Sequence, residues 1–80
     1  MQINFKYFGL VADCTKKKDE VILFDGDSVT LFEVESRLHE SYRELTTTTY
    51  SFAINETLAQ GNEIIKNLDE IALLPPFAGG

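Results

Sequence analysis

The residues with the clearest chemical use sit together at the end of the chain, Pro75-Pro76-Phe77-Ala78-Gly79-Gly80. Two consecutive prolines fix φ and favour a stiff, extended rod. Two glycines remove every β-carbon from around the last carbonyl, so the walls of a partner's site can close on bare backbone. At an average usage of about 7%, a terminal glycine pair arises by chance in roughly 0.5% of chains, so this pair asks for a reason. The combination suits a carboxylate delivered into a narrow site. An extended tail advances roughly 3.3 Å per residue and spans about 20 Å over this stretch, while a folded body stays outside. The prolines also reduce the conformational freedom lost when the tail threads. The reactive group of such a device would be the Gly80 carboxylate, with Gly79 keeping the approach open. The competing reading is a loose terminus without a task.

The remaining side chains offer little to an autonomous catalyst. His39 and Cys14 are each the single residue of their kind, and no triad, metal-ligand spacing or phosphate-cradling glycine loop appears. A lone cysteine closes no internal disulfide and supplies too few ligands for a metal or iron–sulfur cluster. The chain is therefore expected to bind no cofactor or metal and to leave catalysis to partners. Thirteen acidic against seven basic residues give a formal charge of −6, which repels a phosphate backbone. A nucleic-acid partner is not expected, whereas a basic protein surface is favoured by the opposing fields. Lys16-Lys17-Lys18 is a local exception that reads as a solvated turn. No apolar run approaches the roughly 20 residues needed to cross a bilayer, and Met1-Gln2-Ile3-Asn4-Phe5 does not open like a signal peptide. The expected setting is the cytoplasm, with no membrane contact.

The elements that must carry the tail are legible in the periodicity. Ile3, Phe5 and Tyr7 alternate with Gln2, Asn4 and Lys6, the period of a half-buried strand over residues 2–8. Phe8 falls on the polar side. Residues 9–18 read as a short helical turn and loop. Glu20-Val21-Ile22-Leu23-Phe24 reads as a second strand, closed by Asp25-Gly26-Asp27. Leu31, Val34, Leu38, Tyr42 and Leu45 then recur at helical spacing, predicting one helix over residues 30–44. Thr30 and Glu33 make a capping box, with Val29 and Val34 placed as a hydrophobic staple. The helix acids Glu33, Glu35, Glu40 and Glu44, with Arg37, read as a solvated face, and His39 as exposed. The β-branched run Thr46–Thr49 leads into a strand with Tyr50, Phe52 and Ile54 inward. Asn55-Glu56 makes a turn and Thr57-Leu58-Ala59 a brief return. Glu70–Leu74 forms the last strand, Ile71 and Leu73 inward and Leu74 outward, ended by Pro75.

Strand, strand, helix, strand, short strand, strand fits an α+β fold, the ubiquitin-like β-grasp. Its mixed sheet of four to five strands carries one main helix across one face. The expected division is a globular body over residues 1–74 and an extended tail over residues 75–80. In that arrangement the first and last strands run parallel at mid-sheet, and Phe8 and Leu74 become neighbours on the face without a helix. A contiguous apolar patch beside the tail would be a docking surface.

The stretch Asn55-Glu56-Thr57-Leu58, followed by Asp69-Glu70-Ile71-Ala72-Leu73-Leu74-Pro75-Pro76-Phe77-Ala78-Gly79-Gly80, resembles the small, sulfur-carrying subunit of molybdopterin synthase. That is the MoaD-type branch of the MoaD/ThiS sulfur carriers. The terminal glycine pair is shared with thiamine-pathway carriers and ubiquitin-type modifiers, while the double proline points to the molybdenum-cofactor branch. The resemblance implies that an E1-like adenylating partner uses ATP to activate Gly80 as an acyl-adenylate. A sulfur donor acting through a partner converts it to a thiocarboxylate. The sulfur passes within a heterotetramer with the large synthase subunit to cyclic pyranopterin monophosphate, building the molybdopterin dithiolene. It also implies that Phe8, Leu58 and Leu74 pack on the large subunit and that Pro75, Pro76 and Phe77 enter its site. The chain would be a non-catalytic subunit of that complex. Two other roles share the same terminus: carriage of sulfur for thiazole synthesis, and conjugation to lysines through Gly80. One departure is visible, since the family often has glycine where Leu68 precedes Asp69. Asn67 is expected to supply that turn.

Overall fold

The computed structural model describes residues 1–76. Its first strand, β1 (Gln2–Tyr7), follows the alternation of the sequence: Ile3, Phe5 and Tyr7 are fully buried. After the short helix α1 (Leu10–Thr15), β2 (Asp19–Leu23) returns antiparallel to β1, with Ile3 opposite Ile22 and Phe5 opposite Glu20. The helix α2 (Leu31–Ser41) buries Leu31, Val34 and Leu38. The five-stranded sheet runs β2-β1-β7-β4-β5, where β4 is Ser51–Ile54, β5 is Thr57–Leu58 and β7 is Glu70–Leu74. Parallel pairing of β1 with β7 at mid-sheet places Phe5 opposite Ile71 and Tyr7 opposite Leu73. All four, together with the α2 stripe, belong to one apolar core. The observed architecture is the β-grasp expected from the element order.

The start of α2 is built as its sequence dictates. Glu33 N–H donates to Thr30 Oγ1 at 3.2 Å, and Thr30 N–H donates to Glu33 Oε1 at 3.3 Å. This reciprocal pair satisfies two of the donors that a helix start leaves open. The end differs from the expected residue 44. Tyr42 leaves helical geometry at φ −132°, and a separate 3-10 turn follows over Arg43–Thr47. Two causes act together. The threonine run is a poor helix former, and the Tyr42 hydroxyl is drawn to Glu20 Oε1 at 2.7 Å. Leu45 still reaches the core, 1% exposed, but from the 3-10 turn.

A second, two-stranded sheet was not anticipated. β3 (Ser28–Thr30) pairs antiparallel with β6 (Ile64–Lys66), and Val29 faces the buried Ile65. Elements of this length carry too few residues to display a period. Tyr50, Phe52 and Ile54 pack against the core but stay partly exposed, while Ala53 between them is buried on the opposite side of the sheet.

Candidate functional site

The sheet face away from α2 collects the even-numbered positions of β1 and β7. Strand registers set Lys6 opposite Ala72, Ala72 opposite Ala53, and Ala53 opposite Leu58. These four residues therefore form one row across four strands. One step further along, Phe8 N–H donates to Leu73 O at 3.2 Å, extending the parallel ladder beyond β1 and bringing Phe8 beside Leu74. Phe8 and Leu58 are 43% and 47% exposed. Leu74 is half-buried. A hollow of about 290 Å³ lies among Lys6, Phe8, Ala53, Glu56, Glu70, Ala72 and Leu74. Its floor is apolar because two alanines leave room there. Its rim is charged, with Lys6 Nζ 3.0 Å from Glu70 Oε1. The hydrogen bond to Glu70 and its charge raise the Lys6 ammonium above its ordinary value.

The tail leaves the sheet beside this hollow. Gly9 adopts φ 56°, ψ −132°, a backbone conformation closed to residues bearing a β-carbon. A β-carbon there would stand 3.3 Å from Pro75 Cγ. The Pro75 ring is thus seated on bare backbone at the exit of β7. Gly9 had no role in the sequence reading beyond opening a loop. A glycine directly after a strand was the available signal. Pro75 and Pro76 are exposed. Phe77, Ala78, Gly79 and Gly80 lie outside the described residues.

Several residues of the terminal signature turn out to position rather than contact. Asn55 Nδ2 donates to Asp69 Oδ1 at 3.0 Å, and Glu70 N–H donates to Asn55 Oδ1 at 3.0 Å. The pair clamps the β4–β5 turn, where Asn55 and Glu56 both have positive φ, to the start of β7. Leu58 is thereby held on the same face as Leu74. Asp69 Oδ2 also accepts from Lys66 N–H at 2.8 Å. The turn before Asp69 corrects one expectation. Leu68 itself takes the left-handed position at φ 70°, while Asn67 Oδ1 accepts the Gln2 N–H at 2.7 Å. A left-handed position suits glycine, which has no β-carbon to crowd, and leucine occupies it under strain.

Polar clusters on the helix side brace the body. Glu20 Oε1 accepts from the Tyr7 and Tyr42 hydroxyls, each at 2.7 Å, and Glu20 Oε2 accepts from Lys17 Nζ at 2.9 Å. Burial alone would raise the Glu20 carboxyl, but the bonds from Lys17, Tyr42 and Tyr7 together hold it below its ordinary value. Burial and the Glu20 contact push the Tyr7 hydroxyl well above its own. His39 is half-buried rather than exposed. The Tyr50 hydroxyl donates to Glu35 Oε2 at 2.8 Å and lies 2.6 Å from His39 Nε2. With the single hydroxyl proton committed to Glu35, His39 Nε2 must be the donor. Glu35 is accordingly part of a cluster, not of a purely solvated face.

Among the described residues, no group of three or more His, Cys, Asp or Glu is disposed to hold a metal ion. No helix among them is long and apolar enough to cross a membrane.

A model of the ThiS family matches residues 5–80. Among solved structures, the chain is similar to a putative molybdopterin converting factor subunit 1 from Pyrococcus furiosus. The identity is 14%, the match covers 96% of this chain and 99% of that one, and the TM-score is 0.87. SAMP1 from Haloferax volcanii matches over 100% of both chains at 22% identity and TM-score 0.81. A chain in the complex of subunits 1 and 2 of the molybdopterin-converting factor from Helicobacter pylori matches over 100% of both at 28% identity and TM-score 0.70.

Proposed function

The chain belongs to the ThiS family of small β-grasp sulfur carriers, and from this we propose that it is the sulfur-carrier subunit of a molybdopterin synthase, working in the cytoplasm. One observation carries the reading. The tail root is fixed by the contact of Pro75 with Gly9 beside an apolar hollow formed by Phe8, Ala72 and Leu74. Docking of the body on that face and threading of the tail are then one event, with Leu58, Pro75, Pro76 and Phe77 extending the contact. The double proline of the signature and the 28% identity to a chain solved together with a subunit 2 favour the molybdopterin branch.

In the proposed cycle the Gly80 carboxylate attacks the α-phosphorus of ATP on an E1-like partner, releasing pyrophosphate and leaving an acyl-adenylate. A sulfide-level nucleophile, hydrosulfide or its equivalent supplied by a partner, attacks the acyl carbon and expels AMP, leaving a thiocarboxylate. On the large synthase subunit the thiocarboxylate sulfur bonds to a carbon of cyclic pyranopterin monophosphate, displacing an oxygen, and water cleaves the acyl–sulfur bond to return the Gly80 carboxylate; two loaded carriers supply the two sulfurs of the dithiolene. This chain supplies reach and a grip for its partners, with Gly79 keeping the approach free of side chains.

A second reading is favoured by the full-length likeness to SAMP1: a modifier joined to lysines through Gly80. Carriage of sulfur for thiazole synthesis uses the same terminus. The deciding experiment is the intact mass of the protein from cells, paired with a pulldown. Oxygen replaced by sulfur at the terminus, together with a large synthase subunit in the pulldown, supports the proposal. A thiazole synthase partner, or isopeptide-linked lysines on an unsulfurated protein, overturns it in favour of the corresponding alternative.

A further inference from the structure

The outer strand of the sheet is untouched by the tail chemistry. β2 ends the sheet on one side, and among the described residues nothing pairs with its far edge. Its inward bonding is defined at both ends. Phe24 N–H donates to Met1 O at 2.8 Å, the Met1 ammonium donates to Phe24 O at 2.7 Å, and Tyr7 N–H donates to Lys18 O at 2.9 Å. In an antiparallel ladder the bonded residues alternate. Lys18, Glu20, Ile22 and Phe24 therefore turn their backbone groups toward β1, and Asp19, Val21 and Leu23 turn theirs outward. The side chains of those three stand opposite Lys6, Asn4 and Gln2 on the face without the helix. Val21 is 56% and Leu23 68% exposed. Free backbone groups combined with apolar side chains make an edge that invites another strand.

The flanks of this strand have opposite charge. The exposed Lys16-Lys17-Lys18 precedes it, and the exposed Asp25-Gly26-Asp27 follows it. We infer that β2 pairs antiparallel with β2 of a second copy of this chain, about a two-fold axis through Val21. Val21 then faces Val21 and Asp19 faces Leu23, which brings the Lys16-Lys17-Lys18 flank of each copy to the end where the Asp25-Gly26-Asp27 flank of the other lies. Every outward N–H and C=O of the three residues meets a group of the opposite kind, and the basic triplet of each copy runs beside the acidic turn of the other. Centring the axis on Glu20 slides the basic flank of one copy back toward the apolar Leu23 of the other. Centring it on Ile22 sets Asp19 against Asp25. Outward backbone groups meet about any of these three centres, and only the Val21 register also sets the oppositely charged flanks side by side; its self-complementarity is what an isologous contact requires.

The paired sheets share a side for their uncovered faces, and the two β7 strands point in opposite directions. Leu58 and Leu74 stay clear of the contact because β1 stands between β2 and the strands β7, β4 and β5, and Phe8 lies past the end of β1 rather than on β2. The inference is independent of what the tail carries.

Sedimentation equilibrium of the whole chain, from micromolar up to about 1 mM, tests it. The expected result is a mass rising from monomer toward dimer. Val21→Lys, at an exposed site, should weaken association at least about tenfold, because like charges then face each other across the axis, while its melting curve stays that of the parent. In a Cys14→Ser background, oxidised Val21→Cys should form a disulfide-linked dimer and Leu23→Cys should not. Residues paired across the ladder lie about 5.5 Å apart at Cα, within disulfide range, whereas Leu23 faces Asp19. A monomer at every concentration, a dimer indifferent to Val21→Lys, or equal cross-linking at both cysteine positions would overturn the inference.

Discussion

The Pro75 ring rests on the backbone of Gly9, so closely that a β-carbon there would come within 3.3 Å of Pro75 Cγ. Gly9→Ala should therefore act twice. Its positive φ makes any β-carbon costly, by about 1–3 kcal/mol of stability, and the new methyl displaces the tail root. Urea unfolding reports the first effect, and titration with the large synthase subunit the second, expected as roughly tenfold weaker binding. Pro75→Ala introduced alongside should recover part of the affinity and little of the stability. Full retention of binding by Gly9→Ala alone would show that the seat does not aim the tail.

Leu74→Asp places a charge in the floor of the hollow. Desolvating it against a partner without a counter-charge is costly, and loss of a central apolar anchor commonly exceeds about 2 kcal/mol, or some 30-fold in affinity. Calorimetric titration with the large subunit measures this. Because Leu74 is only half-buried in the free chain, circular dichroism should find the fold intact. Affinity equal to that of the parent would remove this face from the docking surface.

Leu68→Gly is expected to stabilise the protein. Leu68 holds φ 70° while 61% exposed, so little packing is lost when its side chain is removed. Relief of left-handed strain is worth about 1–2 kcal/mol, offset by the greater freedom of glycine in the unfolded chain. A gain of roughly 0.5–1 kcal/mol should appear as a higher denaturant midpoint at unchanged slope. A loss would mean that the exposed leucine makes a contribution the geometry does not reveal.

Glu20→Ala leaves the buried Tyr7 hydroxyl without its acceptor, a cost of about 1–3 kcal/mol at neutral pH. The Glu20 carboxyl is held below its ordinary 4.5 in the folded state. Its ionised form therefore stabilises the fold above that value, and the contribution disappears as pH falls through the folded pKa. Melting temperatures of parent and variant should converge below pH 4.5. At the alkaline end the raised Tyr7 favours the folded state only up to its ordinary value of 10.0, and the benefit fades as pH climbs further. A gap between parent and variant that is constant from pH 7 down to 3 would exclude this linkage.

What the sequence made legible follows from the length scale of each signal. Ile3, Phe5 and Tyr7, like Ile71 and Leu73, repeat often enough to define a face, and that face also fixes Phe8 and Leu74 on the other side. The capping box at Thr30 is local and equally readable. The β3–β6 pair is not, because three residues per strand leave no period. The halt of α2 at Ser41 depends on Tyr42 reaching Glu20 on another element. His39 looked exposed because its neighbours along the chain are polar, yet Tyr50, its partner, comes from beyond the helix. The seat of Pro75 on Gly9 joins residues from opposite ends of the sequence, so only the folded chain discloses it.

β7 lies inside the sheet, flanked by β1 and β4, and the tail continues directly from it. A pull on residue 76 along the strand is consequently resisted by two ladders of hydrogen bonds loaded in shear, rather than by one that unzips bond by bond. The end of the molecule proposed to carry the sulfur is thus anchored where mechanical traction is best withstood. In the proposed cycle, a partner then grips and releases the tail over many rounds without unravelling the body behind it.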